Sequence, residues 1–178
     1  KGSDWVIDSI KYDLCWFDGN NYWIKDWKLT FVDVYNLFGG SGSTLGLVIA
    51  ILLFAKRKEL KSISKMALPT SLFNINEPVI FGIPICFNPV FFIPFIIVPL
   101  INVLIAYFVT ALKMVSIMSV YVHWSTPPLI NAYVASAGDI RNVILQVLLI
   151  ILDIFIYLVF LKIYEKTLDR KDNIENEA

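Results

Sequence analysis

Long stretches of this sequence carry no charge at all. Charged residues make up 17% of the chain, against about 25% in an ordinary soluble domain, and the shortage is concentrated in three places. Residues 34–55, 78–112 and 114–138, which are 22, 35 and 25 residues long, contain no Asp, Glu, Lys or Arg, and the last of them holds the single histidine, His123. A bilayer-spanning helix takes about 20 apolar residues, and no soluble core calls for an uncharged run of 35. These runs also contain glycine, proline and asparagine, so they are not plain apolar rods.

An excess of either sign is missing too. Fifteen basic residues balance fifteen acidic ones, so nothing in the net charge suggests a nucleic-acid partner. Cysteine is scarce: Cys15 and Cys86 lie far apart and form no CxxC pair. This argues against a zinc or thioredoxin-type site, and both thiols read as small apolar packing groups. No metal site and no cofactor is expected. The glycine-rich run at 39–44 is not followed by Lys and Ser/Thr, so it is no Walker loop. No signal peptide opens the chain, which starts at Lys1 and continues through 33 polar and aromatic residues. A membrane sequence that begins this way reads as a piece of a longer protein.

What is present lays out an all-α integral membrane protein. Segment 1–33 holds four Lys, six Asp and four of the five tryptophans, Trp5, Trp16, Trp23 and Trp27. It reads as an extracytoplasmic segment near the membrane interface, where Trp and Tyr prefer to sit, or as a plain loop with packed aromatics. Residues 34–55 form the first spanning candidate. A basic cluster follows, Lys56, Arg57, Lys58, Lys61 and Lys65 against the single Glu59, and marks a cytoplasmic loop. Lys162 and Lys166 put the charged tail 162–178 on the same side.

As one helix the 35-residue run would be about 52 Å long, and it carries Pro78, Pro84, Pro89, Pro94 and Pro99. Residues 88–112 are therefore expected to span, with 66–87 as a hairpin entering from the cytoplasm. Pro127-Pro128 breaks 114–138 into a second hairpin entering from outside, and 142–161 returns the chain. The expected architecture is about three transmembrane helices plus two opposed re-entrant hairpins, part of a larger transporter fold in which 34–161 is transport domain. Irregular backbone at membrane depth persists only where protein or a water-filled cavity satisfies it.

Four motifs could carry chemistry. In Asn74-Ile75-Asn76-Glu77-Pro78-Val79-Ile80-Phe81-Gly82 a carboxylate sits in apolar sequence, where an ionisable group is a functional candidate. Glu77, flanked by the amide of Asn76, suits a sugar, whose hydroxyls donate to carboxylates and accept from amides; a Glu that caps a broken helix fits equally. Gly40 and Gly42, in Gly39-Gly40-Ser41-Gly42-Ser43-Thr44, allow close helix packing or leave room for a ligand. In His123-Trp124-Ser125-Thr126-Pro127-Pro128 the Trp124 ring can stack on the apolar face of a sugar beside Thr126, while His123 reads as structural. Asp153 interrupts the last apolar segment and must face protein or water rather than lipid. No second acid lies at helical spacing from it, which favours a packing or hydrogen-bonding role over a proton relay.

Together these runs, with Asn88-Pro89 and Pro94, resemble the IIC permease of the bacterial phosphoenolpyruvate-dependent phosphotransferase system, in its lactose/cellobiose/diacetylchitobiose family. The resemblance covers about 29–161. It implies inward transport of a sugar across the bacterial cytoplasmic membrane by a multi-pass permease. Phosphorylation would come from a separate IIB protein, and a β-linked disaccharide such as cellobiose is the implied sugar. It assigns Glu77 to the hydroxyl that receives the phosphoryl group. It also implies a homodimer in the full-length permease, of which this chain matches the C-terminal part, without the N-terminal helices of the dimer interface or the histidine-containing segment that helps complete the sugar site. His123 stands where the family pattern leads one to expect an apolar residue or proline. Two other readings remain open at this level: an ion-coupled secondary transporter using Glu77 and Asp153, and an inactive truncated permease.

Overall fold

The computed structural model describes residues 27–83 and 85–177. The expectations for 1–26, including the placement of Trp5, Trp16 and Trp23 and the packing of Cys15, fall outside the described residues, as do the side chains of Trp27 and Cys86.

All regular structure among the described residues is helical: α1 (Trp27–Asn36), α2 (Thr44–Phe54), α3 (Lys58–Ser71), α4 (Glu77–Gly82), a 3-10 turn (Ile85–Phe87), α5 (Pro89–Ala111), α6 (Ile130–Ala135) and α7 (Ile140–Glu177). Two of these, Pro89–Ala111 and Ile140–Arg170, are long and apolar enough to cross a bilayer. The first matches the expected span at 88–112 within a residue. Asn88 starts it by accepting the Val90 N–H on its side chain at 3.0 Å, with Pro89 in the first turn, where the missing N–H has no intrahelical partner to lose. The second is longer than expected. α7 runs on unbroken past Leu161 into the charged tail, so no structural boundary falls at 161/162.

The expected first span at 34–55 is not one helix. It is divided between the end of α1, a turn at 37–43, and α2. Gly39, Gly40, Gly42 and Ser43 all have positive φ, from 50° to 93°. A right-handed helix cannot pass through left-handed backbone, and glycine takes it without a Cβ clash. The 11 residues of α2 are apolar on every side, and seven are buried, from Thr44 to Ile51. At about 1.5 Å per residue it is only ~16 Å long, about half the hydrocarbon thickness. α2 is thus a core plug rather than a complete crossing. The boundary expected at 33/34 lies inside α1.

The basic cluster starts in the connector at Lys56 and Arg57 and continues into α3 with Lys58, Lys61 and Lys65. Segment 66–87 is the second half of α3, a turn, the six-residue α4 and the 3-10 turn. Segment 114–138 is irregular apart from α6. Neither is a continuous helix.

α2 packs between α7 and α3, while α5 lies along α7 and α1 lies on α5 and α6. Two apolar clusters result. One gathers Leu47, Ile51, Leu60, Val79, Phe91, Val98, Tyr157 and Leu161; the other gathers Phe31, Tyr35, Phe38, Leu45, Ala106, Met118, Ala132 and Leu149. α7 joins them with one inward face. Asn142, Gln146, Leu149, Asp153, Tyr157 and Leu161, spaced three or four apart, are all buried, as residues on one side of a helix must be.

Both ends of α7 are tied down. Near its C-terminal end the Lys56 backbone N–H donates to Glu165 Oε1 at 2.6 Å, and Arg57 pairs with Asp169 at 3.1 Å. The tail is therefore held against the start of α3. The Arg57–Asp169 pair is exposed and adds little. At the other end Asp139 accepts the Arg141 N–H at 2.9 Å and the Ser116 N–H at 3.3 Å. The Arg141 bond first, with the Ser116 bonds behind it, holds the Asp139 carboxyl below its ordinary value of 3.8. A lowered carboxyl favours the fold at every pH above its unfolded value and loses that contribution as pH falls through the lower folded value. Asp139→Asn keeps an acceptor for the helix start but cannot titrate. It should lower the thermal midpoint at neutral pH slightly, by the contribution the charged carboxyl supplies there, and flatten its fall in acid. Thermal melts across the acid range check this, and an acid limb identical to wild type would contradict it.

Candidate functional site

Three of the four motifs meet at one side chain. Asn74 sits just past the end of α3 with φ 61°, a left-handed position that asparagine tolerates better than most residues. Its buried amide spans three segments. Oδ1 accepts the Gly39 N–H at 3.0 Å, and Nδ2 donates to the carbonyls of Trp124 at 2.6 Å and Thr126 at 3.1 Å. Two residues on, Asn76 Nδ2 donates to the Ser41 carbonyl at 2.7 Å. The 39–44 turn, the 74–78 turn and the 124–128 turn are thereby one hydrogen-bonded junction.

Each turn is also braced locally. In the first, Thr44 Oγ1 donates to the Gly39 carbonyl at 2.6 Å and Ser43 Oγ to the Asn36 carbonyl at 2.8 Å. In the third, the His123 ring lies 5.4 Å from the Trp124 ring, and its Nδ1 accepts the Ser125 N–H at 3.3 Å and meets Ser125 Oγ at 2.7 Å. Gln146 of α7 holds the following residues: Oε1 accepts the Leu129 N–H at 2.5 Å, while Nε2 donates to the Val34 carbonyl at 2.7 Å and Asn131 Oδ1 at 2.9 Å.

The expected site residues fall into two groups. Asn76, Gly40, Gly42 and Thr126 build the junction. A Cβ on Gly40 would lie 2.7 Å from Asn76 Cγ and 2.8 Å from the Asn74 carbonyl oxygen, and one on Gly42 would overlap the Phe95 ring. Both glycines serve close packing. Thr126 takes part through its carbonyl. Glu77 and Trp124 stand outside the bonding. Glu77 is the first residue of α4 and exposed, with no hydrogen bond to a described residue. Trp124 is hydrogen-bonded through its carbonyl, and its side chain, beside the His123 ring, is 47% exposed. A carboxylate with no hydrogen bond to a described residue and a half-exposed aromatic ring thus stand beside the hydrogen-bonded junction. That pair can accept a hydroxyl and cover an apolar ring face.

Sequence reasoning missed Asn74 as the centre of the junction and missed Gln146 altogether. The signal for Gln146 was available, since Asn142, Gln146 and Asp153 are the polar residues that recur on one face of an otherwise apolar helix. Among the described residues no group of three or more His, Cys, Asp or Glu could hold a metal ion.

The chain is similar to known proteins over most of its length. A family model described as "Phosphotransferase system, EIIC" matches residues 28–99. The cellobiose-specific EIIC component of Lactococcus lactis is 44% identical over 84% of this chain and 31% of that protein. The lichenan permease IIC component of Bacillus subtilis is 35% identical over 80% of this chain and 32% of that protein. Among solved structures, that of the transporter ChbC, the IIC component from the N,N'-diacetylchitobiose-specific phosphotransferase system, aligns with a TM-score of 0.77 and 42% identity, covering 81% of this chain and 34% of that one. The chain therefore spans about a third of the length of these relatives. With the 39–44, 74–82 and 124–128 motifs joined at Asn74, and with relatives this similar over four-fifths of its residues, the chain belongs to the EIIC family of the phosphotransferase system.

Proposed function

We propose that this chain is part of a permease that moves a sugar across the bacterial cytoplasmic membrane and presents it for phosphorylation by a separate IIB protein. The observation that carries this reading is the Asn74 junction, which holds the backbone next to Glu77 and at Trp124 while both side chains stay outside its hydrogen bonds. In the proposed reaction a sugar hydroxyl donates to Glu77. As its oxygen attacks phosphorus, the O–P bond forms, the bond to the IIB donor breaks, and the hydroxyl proton passes to the Glu77 carboxylate. A β-linked disaccharide is the proposed cargo; similar proteins are named for cellobiose, lichenan, oligo-β-mannoside and lactose. EIICB relatives, whose name joins the two components in one protein, support a IIB partner. The proposed topology has segments 66–87 and 114–138 re-entering the membrane from opposite sides. The contact of Glu165 and Asp169 with Lys56 and Arg57 supports a common cytoplasmic side for the start of α3 and the end of α7.

The test is uptake of radiolabelled cellobiose by vesicles bearing the full-length protein, with the phosphoryl relay enclosed. Accumulation only as phosphosugar, and only with a phosphoryl donor, is expected. Accumulation of unmodified sugar driven by an ion gradient would overturn the proposal in favour of secondary transport.

Trp124 gives a second test. Its backbone holds the junction while its ring does not, so Trp124→Ala should leave the fold intact. Sugar affinity should fall roughly fivefold, the equivalent of about 1 kcal/mol for an aromatic contact. Equilibrium binding checks this, and unchanged affinity would remove Trp124 from the site.

A further inference from the structure

Between the two apolar clusters lies one polar layer. Asp153 of α7 and Asn102 of α5 are both fully buried, and each sits in register between residues of the two clusters: Leu149 and Tyr157 on one helix, Val98 and Ala106 on the other. Asn102 Nδ2 donates to Asp153 Oδ2 at 3.0 Å and reaches Ser43 Oγ at 3.3 Å. α2 comes so close at Gly46 that a Cβ there would be 2.6 Å from Asp153 Cβ. One turn along α7, the Tyr157 hydroxyl donates to the Gly42 carbonyl.

Two atoms of this layer have no partner among the described residues, Asp153 Oδ1 and Asn102 Oδ1. Both are acceptors. Among the described residues no cation pairs with Asp153: segments 34–55 and 78–112, which supply α2, the 39–44 turn before it and α5, contain no charged residue. On α7 the nearest basic residues in sequence, Arg141 and Lys162, are exposed, twelve and nine residues away. Tyr157 is the other titratable group in the layer, and its proton is committed to Gly42. A bare carboxylate in such surroundings costs several kcal/mol or more.

We propose that Asp153 is a proton-binding site: the carboxyl is held as the neutral acid, and its proton on Oδ1 donates to Asn102 Oδ1. One proton then satisfies both orphan oxygens and closes an acid–amide pair with two parallel hydrogen bonds. Turning the Asn102 amide over does not remove the need for it. That orientation sets two acceptors 3.0 Å apart, which again requires a proton between them. The pair fixes α5 to α7 beneath Ser43, so it also anchors the 39–44 turn of the junction.

Infrared spectroscopy of the full-length protein in lipid vesicles at neutral pH, with aspartate labelled by carbon-13 at the side-chain carboxyl, tests this. The expected result is a protonated-acid C=O stretch that shifts with the label, is absent from Asp153→Asn, and moves in frequency in Asn102→Leu. Asp153→Asn places an N–H where the acid O–H was, so its thermal midpoint should stay close to wild type, whereas Asp153→Leu should lower it by many degrees. Absence of an Asp153-dependent acid band in the wild type would overturn the proposal. So would a thermal midpoint raised by sodium or potassium in the wild type but not in Asp153→Asn, since that would identify a bound metal cation in place of the proton.

Discussion

Asn74→Leu should unfold the site and lower the stability of the helical core by about 3–5 kcal/mol. Leucine has the same branching of side-chain heavy atoms as asparagine but no polar atom, so most of the cost comes from what is left unpaired. The Gly39 N–H and the carbonyls of Trp124 and Thr126 each lose their partner on one substitution, and a buried polar group left unsatisfied costs about 1–3 kcal/mol. The backbone adds to this, because at φ 61° asparagine is tolerated and leucine is strained. Asn74→Asp separates the contributions. It keeps the acceptor for Gly39 but sets a carboxylate oxygen against the two carbonyls, so its thermal midpoint should lie below wild type at neutral pH and recover in part in acid, where a protonated carboxyl can donate. A melt of Asn74→Leu indistinguishable from wild type would show that the three turns hold their positions without this side chain.

Glu77→Gln should leave the fold and most of the sugar binding in place and reduce phosphorylation-coupled uptake by the full-length permease about a hundredfold to ten-thousandfold, the usual contribution of a positioned base. The glutamine keeps the length, one acceptor oxygen and the start of α4. It removes the charge and the ability to take the hydroxyl proton. Glu77 makes no bond that the junction depends on, so loss of uptake cannot be attributed to collapse as it could for Asn74. Measuring uptake and equilibrium sugar affinity on the same preparation distinguishes the two cases. Wild-type uptake by the variant would take Glu77 out of the reaction.

The membrane class, the α5 span and the three meeting motifs were legible in the sequence because each leaves a local mark: an uncharged run, an Asn-Pro helix start, and a polar cluster in apolar surroundings. The first span was misread because hydropathy over 34–55 is continuous while the backbone is not. The Gly-Gly-Ser-Gly-Ser turn interrupts the helix without adding a single charge, and only its left-handed φ angles reveal the break. Positive-inside counting marked the Lys56–Lys65 region as a loop, yet charge does not exclude helix, and α3 carries its lysines on exposed or half-exposed positions. The roles of Gly40 and Gly42 were open from sequence because packing and ligand access both call for a missing Cβ; Asn76 and Phe95 fill the space. Asn74 as the hub was not legible at all. Its three partners are backbone groups 35, 50 and 52 residues away, and backbone groups leave no trace in residue identity.

A structure of the full-length protein with a bound disaccharide tests the central claim most directly. The sugar hydroxyl that becomes phosphorylated should lie within hydrogen-bonding distance of the Glu77 carboxylate, with the Trp124 ring against the sugar and the Asn74 bonds to Gly39, Trp124 and Thr126 intact. A sugar bound elsewhere, or one whose reactive hydroxyl is held by other groups while Glu77 stays free, would contradict it.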